Sequence, residues 1–107
     1  MSFRWPNKDP DETLDYSIDW SRFLDTATIS AVTWFVNNAS GVKTQINAGE
    51  TVNGIQNISQ TVDTPGKVAT INLGSGTNNI EYTFFCQMED STGSTAERSI
   101  KLRVRQK

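Results

Sequence analysis

Histidine is absent from this chain of 107 residues, and cysteine occurs once, at Cys86. Without histidine, the chain lacks the commonest general base and metal ligand of proteins. A single cysteine cannot form a disulfide within the chain, so the fold must rest on core packing and hydrogen bonds, and a reducing compartment suits it. No glycine-rich phosphate loop replaces these groups. We therefore expect no enzyme, no cofactor and no catalytic or metal-binding residues.

Long apolar runs are missing as well. The longest nearly apolar stretch, Ile29 to Val36, is far shorter than a membrane-spanning helix, which needs about 20 apolar residues. The segment Met1 to Pro10 is polar and lacks the core of a signal peptide. We therefore expect a protein made and kept in the cytosol, without a membrane partner. A net charge of −2 gives no overall attraction to phosphate backbones, so we expect no nucleic-acid partner.

Helical periodicity is also lacking, and apolar residues instead alternate with polar ones. Such alternation predicts strands with one buried face. The predicted inward positions are Leu14, Tyr16, Ile18 and Trp20; Val32, Trp34 and Val36; Ala69, Ile71 and Leu73; Ile80, Tyr82, Phe84, Cys86 and Met88; and Ile100, Leu102 and Val104. About seven short strands without intervening helices predict an all-β, Ig-like or fibronectin-III-like antiparallel sandwich. A small barrel is the structural alternative.

Turn residues separate these strands. Asn53-Gly54 has the composition of a two-residue hairpin turn, Pro65-Gly66 precedes another strand, and Asp90 to Gly93 connects the last two. The register between Val42 and Asp63 is not determined by the pattern. We predict an N-terminal arm, residues 1–12, and an Ig-like sandwich domain, residues 13–107. The arm is too polar to pack fully, and we expect it to be mobile.

Three aromatic residues have no clear place in the predicted core. Phe3 and Trp5 lie in the arm, and Phe85 points opposite to Tyr82 and Phe84. Because aromatic residues are enriched among interface hot spots, these three are candidates for contact with a partner protein. The alternative for Trp5 is that it folds back and covers one open end of the sandwich, where it would contribute stability rather than binding.

Basic residues lie along the last predicted strand and just beyond it. Arg98, Lys101, Arg103 and Arg105 are interface candidates, because the apolar residues between them take the inward positions. Residues 1–25 carry six acidic and three basic side chains. The basic residues could pair with this acidic segment of their own chain or with a neighbouring subunit, and a merely solvated face is the simplest alternative. Glu81, Glu89 and Asp90 are near one another in sequence, but strand alternation does not converge them into a hydrolase site.

Two segments resemble known families. Residues 80–93 with the strand Ser99 to Val104 resemble the last hairpin of fibronectin-III and bacterial Ig-like domains, which supports the fold alone. The segment WPNKDPDETLDYSIDW, residues 5–20, resembles the start of small tailed-bacteriophage proteins described as fiber-tail adaptors.

The second resemblance implies a structural protein of the phage virion. It would be a tail or fiber adaptor that mediates protein assembly in the tail region, synthesised in the host bacterial cytoplasm. Its partners would be other tail or fiber proteins, and a homo-oligomer within the particle is left open. The functional alternative is a carbohydrate-binding or adhesive Ig-like module, which would need an exposed aromatic platform with polar neighbours.

Overall fold

The computed structural model describes residues 3–63 and 66–107, without the side chain of Phe3. A four-residue helix, α1 (Ser21–Leu24), follows the second of the strands. The strands of this part of the chain are β1 (Phe3–Arg4), β2 (Leu14–Asp19), β3 (Ile29–Asn37), β4 (Lys43–Gln45), β5 (Thr51–Val52), β6 (Ile55–Val62), β7 (Val68–Ser75), β8 (Ile80–Asp90) and β9 (Thr95–Val104). The prediction of about seven strands did not include the short strands β1 and β4.

The strands form two sheets. One has the order β1-β9-β8-β3-β4 and the other the order β2-β7-β6-β5. Neighbouring strands are antiparallel except for β1, which runs parallel to β9. The all-β antiparallel sandwich is therefore confirmed, and the narrower Ig-like class stays a prediction. No helix in the described part of the chain is long and apolar enough to cross a membrane.

The predicted inward faces form the core between the sheets. Trp34 of β3 is 1% exposed and lies opposite Cys86 of β8, which is fully buried. Burial raises the pKa of the Cys86 thiol to about 12, so the group stays protonated and packs as a small apolar side chain. Tyr82 and Phe84 are fully buried on the same face of β8, which confirms the predicted alternation of this strand.

The predicted hairpin at Asn53-Gly54 joins β5 to β6. Both turn residues have positive φ, 51° and 82°, as a two-residue hairpin turn requires. A Cβ atom on Gly54 would lie 2.5 Å from Oγ1 of Thr77, so the close approach also calls for glycine. The predicted turn from Asp90 to Gly93 joins β8 to β9, and the Gly93 amide donates to the Asp90 carbonyl at 3.0 Å. The remaining predicted turn begins at Pro65, which lies outside the described residues.

The described part of the N-terminal arm packs on the sandwich, whereas we expected the arm to be too polar to pack fully. Phe3 and Arg4 pair with Ile100 and Lys101 of β9, and the Trp5 amide donates to the Lys101 carbonyl at 2.9 Å. The reason is that the outer edge of β9 offers main-chain partners whatever the side chains of the arm are. The boundary between residues 12 and 13 stays a prediction, although the arm is not separate in packing.

Trp5 closes the side of the sandwich between β9 and β2. Its side chain is 8% exposed, and its ring stacks on Tyr16 with centroids 4.8 Å apart. The ring also lies 5.8 Å from Phe84 and 6.0 Å from Trp34. Its indole N–H donates to the Ser17 carbonyl at 3.3 Å. These contacts match the alternative in which Trp5 folds back onto its own domain.

Lys8 is the buried charge of the arm. Its side chain is fully buried, and its ammonium donates to the main-chain carbonyls of Asp9 and Ser75. The Lys8 amide donates to Arg103, and the Lys8 carbonyl accepts from Arg105. Burial lowers the pKa of Lys8, while the charges of Glu12, Asp9 and Asp11 oppose that shift. One lysine thus joins the arm to β7 and to the end of β9.

Replacing Trp34 by alanine should lower the free energy of unfolding by about 3–5 kcal/mol, because removal of the indole ring leaves a large cavity between the sheets. Chemical denaturation of the wild-type and Trp34→Ala proteins measures the difference. A loss below about 1 kcal/mol is typical of a surface position and would contradict the burial of this residue.

The Lys8→Met variant should lose about 1–3 kcal/mol of unfolding free energy, because the main-chain carbonyls of Asp9 and Ser75 lose a charged donor in a partly buried site. The lowered pKa adds a pH signature. Between that pKa and the ordinary value of 10.5, the unfolded chain binds more protons than the folded one, so wild-type stability should rise with pH there. Lys8→Met should lack this rise.

Lys107→Met is the matched control for Lys8. The Lys107 side chain is about half exposed and forms an ion pair with Glu12, and such surface pairs contribute roughly 0–1 kcal/mol. Equal stability losses in the two variants would contradict a special role of the buried lysine.

Candidate functional site

The outward face of the five-stranded sheet carries a pair of aromatic side chains. Phe35 of β3 lies directly opposite Phe85 of β8, and Ser99 of β9 is the next residue across the sheet. Both phenylalanines are half-buried, although they point away from the core. The interface candidate Phe85 is therefore one half of a cross-strand aromatic pair, one of the arrangements that stabilise a sheet.

Lys43 of β4 covers this aromatic pair. Its ammonium lies 4.6 Å from the centroid of the Phe35 ring and 5.1 Å from that of Phe85. It also forms an ion pair with Glu97 of β9. A lysine stem can shield apolar surface while its charged end stays in water. This surface, defined by Phe35, Phe85, Lys43 and Glu97, is called the aromatic patch below.

Basic side chains adjoin the aromatic patch toward the β1 edge. Lys101 and Arg103 are half-buried on the outward side of β9, and Arg4 of β1 forms an ion pair of 2.8 Å with Glu81 of β8. The hydrogen bond from Arg4 lowers the pKa of Glu81, and the charges of Arg4, Lys101 and Arg103 lower it further. Three cations around one carboxylate leave this part of the sheet face positive.

Arg98 lies on the other side of β9 from Lys101 and Arg103. Its guanidinium carbon lies 4.6 Å from the centroid of the Trp20 ring. On the neighbouring strand β8, Arg98 pairs with the inward residue Cys86. The reason is parity, since an even-numbered residue of β9 shares the face of Ile100 and Leu102. Arg98 is thus not part of a single basic surface with Lys101 and Arg103.

The other interface candidates have different positions. Arg105 is exposed beyond the end of β9, and its amide donates to the Lys8 carbonyl at 2.7 Å. The main chain of Phe3 lies in β1, and its side chain is outside the described part. Trp5 is already buried within its own chain. As contact residues for a partner, all of these stay predictions.

Pairing between the basic C-terminal residues and the acidic N-terminal segment occurs within the chain. Lys107 forms an ion pair of 2.9 Å with Glu12, and its amide donates to a carboxylate oxygen of Asp9 at 2.7 Å. Hydrogen bonds from Ser21 lower the pKa of Asp19, and the charge of Arg98 adds to the effect. Lys101 and Arg103 instead face the carboxylate of Glu81.

Glu81, Glu89 and Asp90, the acidic residues considered above, have separate surroundings in the described part of the chain. Glu81 and Glu89 lie eight residues apart on β8, a distance of about 26 Å along a strand. Asp90 accepts hydrogen bonds from the Thr92 hydroxyl and from the Thr92 and Ser94 amides, and these contacts lower its pKa. Within residues 3–63 and 66–107, no cluster of acidic residues or cysteine could hold a metal ion.

Sequence reasoning found Phe85 but missed its partners. Phe35 alternates with Trp34 and Val36 and could have been assigned outward by the rule that was applied to Phe85. Lys43 had no such signal, because it lies in the middle of the chain where the pattern does not determine the register. Only the pairing of β4 with β3 brings its ammonium over the two rings.

A search of curated proteins found no match. A family model described as podophage GP4 fiber-tail adaptor protein gp77 matches residues 8–103. That range begins at the buried Lys8, includes Phe85 and extends through Arg103 of β9. Because the match covers most of the chain, the protein belongs to the podophage GP4 fiber-tail adaptor protein gp77 family.

Proposed function

We propose that the chain mediates assembly in the tail of the virion by docking the outward face of its five-stranded sheet onto another tail or fiber protein. Membership of the adaptor family supports a structural role in the phage tail. The observation that carries the docking surface is the Phe35–Phe85 pair, half-buried on an outward face. Aromatic residues and arginine are enriched at protein interfaces, and the rim around their apolar centre is polar.

The partner surface should be apolar at its centre and acidic at one side. The aromatic patch supplies the apolar centre, and Arg4, Lys101 and Arg103 supply the positive side. An acidic partner would gain orientation and association rate from these charges more than affinity. The proposal also includes synthesis in the host bacterial cytoplasm and residence in the tail region of the virion.

Phe85→Ala should reduce incorporation of the chain into particles by at least about tenfold, because loss of a central aromatic contact commonly costs 2 kcal/mol or more of binding free energy. Phe23→Ala is the matched control, since Phe23 is 44% exposed on α1 and away from the sheet face. Quantitative mass spectrometry of purified particles measures incorporation, and thermal melting confirms that both variants fold. Normal incorporation of Phe85→Ala would contradict the proposal. Binding of the chain to a glycan array, together with that result, would favour the carbohydrate-binding alternative.

Reversing two charges, Lys101→Glu with Arg103→Glu, should slow incorporation and remove its sensitivity to salt, because rim charges act mainly on association rate. The control is Arg22→Glu with Lys107→Glu, which applies the same charge change at exposed positions outside β9. Assembly rates measured in low and high salt distinguish the two pairs. An equal effect of both pairs would indicate a dependence on net charge alone.

A further inference from the structure

The two long sides of the sandwich are closed to different extents. On the side of β9 and β2, the arm adds a strand and Trp5 fills the gap between the sheets. On the opposite side, β4 pairs with only the last three residues of β3, and β5 pairs with only the first two of β6. The first half of β3 and the second half of β6 therefore have no neighbouring strand on this side among the described residues.

An open cleft lies between these two edges. It has a volume of about 210 Å³ and is lined by residues of β3 and β6, including Val32, Trp34, Gln60 and Val62. The indole N–H of Trp34 is buried and has no hydrogen-bond partner among the described residues. A side-chain hydrogen bond crosses between the edges here, from the Gln60 amide to the Val32 carbonyl at 3.5 Å, which is long for such a bond.

Main-chain groups of β6 point toward this cleft. The Asp63 amide donates to the Val68 carbonyl at 3.0 Å, so Asp63 faces β7. In an antiparallel ladder the direction of these groups alternates from one residue to the next. Because the register from Ser59 to Val62 is regular, the main-chain groups of Thr61 point toward β7, as those of Asp63 do. Gln60 and Val62 therefore direct their amides and carbonyls away from β7, toward the open edge.

The same alternation applies to β3. The Trp34 carbonyl accepts from the Ile46 amide at 3.0 Å, so Trp34 faces the β4 side. The register between β3 and β8 is regular from Ala31 to Val36, and Val32 therefore also directs its main-chain groups to the β4 side. Because β4 pairs only with residues 35–37 of β3, the main-chain groups of Val32 on that side point into the cleft.

These two edges lack the charged residues that usually protect a free edge. Neither β3 nor β6 contains a charged residue, whereas β1, β2 and β4 carry Arg4, Asp15 with Asp19, and Lys43. Val62 is 39% exposed at the cleft, and Ile58 is 42% exposed further along β6. An uncharged edge with exposed apolar residues is suited to pairing with another chain.

We propose that the edges of β3 and β6 accept an extended segment of a tail or fiber protein as an added β-strand. The proposal rests on the adaptor role proposed above. The arm of the chain itself, residues 3–8, shows on the opposite side how one extended segment with a single apolar anchor closes this sandwich. The partner segment should be uncharged where it crosses the cleft and apolar where it meets Val62 and Trp34.

A second copy of the chain fits this edge less well than an extended segment. Register irregularities occur between Ile29 and Ala31 of β3 and between Asn57 and Ser59 of β6. Such bulges twist an edge and oppose flat pairing with another folded edge. A segment without its own tertiary structure can follow the bend, as is typical of strand addition.

Two variants at one position test the inference. Val62→Pro removes an amide that points to the cleft without removing a bond to β7, and Val62→Lys places a charge at the edge. Each should reduce incorporation into particles by at least about tenfold. Ser59→Lys is the matched control, because its exposed side chain is on the other face of β6. Melting temperatures of the purified chains show whether each variant folds.

Hydrogen exchange gives a local readout that does not depend on any variant. Peptides covering residues 29–34 and 58–63 should exchange at least about tenfold more slowly in assembled particles than in the free chain, and residues 14–19 should not change. Unchanged exchange at both edges in particles that contain the chain would overturn the added strand and leave the adaptor role standing. Protection that appears in the free chain with rising concentration, together with a dimer in light scattering, would assign the edge to a second copy and also overturn it. Absence of the chain from particles would overturn the adaptor role and this inference with it.

Discussion

Main-chain groups at the edge of a sheet need partners, and this constraint shapes the whole chain around its two sheets. The arm meets it on one side, where residues 3–8 pair with β9 and Trp5 and Lys8 lie buried. On half of the opposite side, β4 and β5 supply these partners by pairing with β3 and β6. Between them, the Asn57 side-chain amide donates to the Ile46 carbonyl. The remaining half is open, and there the proposed partner strand would satisfy the same requirement.

The aromatic core links stability to the two proposed contact surfaces. Trp5 contacts Tyr16, Phe84 and Trp34, so the arm, β2, β8 and β3 share one packed cluster. The outward aromatic patch lies on the reverse side of β3 and β8, next to Trp34 and Phe84 in sequence. A rigid core behind an interface keeps its residues in place and lowers the entropy lost on docking.

Much of the fold was predictable because alternation acts locally. The inward faces of β2, β3, β7, β8 and β9 and the turn at Asn53-Gly54 follow from the residues of each segment alone. The packing of the arm was not predictable, because Phe3 and Arg4 form a strand only by pairing with β9. The site was predictable to the same extent: Phe85 could be assigned outward, whereas Lys43 reaches the two rings only through the pairing of β4 with β3.

By itself, the sequence determined that the chain is all-β, which side of each main strand is buried, and that histidine chemistry and disulfides within these 107 residues are excluded. These properties depend on residue type and on the period of two along a strand, which need no distant partner. The tertiary structure decided that Trp5 and Lys8 are buried, that Arg98 contacts Trp20 on the other face of β9 from Lys101 and Arg103, and that parts of the β3 and β6 edges have no neighbouring strand among the described residues. Each of these depends on which strands become neighbours, and main-chain pairing between distant segments is nearly independent of the side chains that a sequence pattern records.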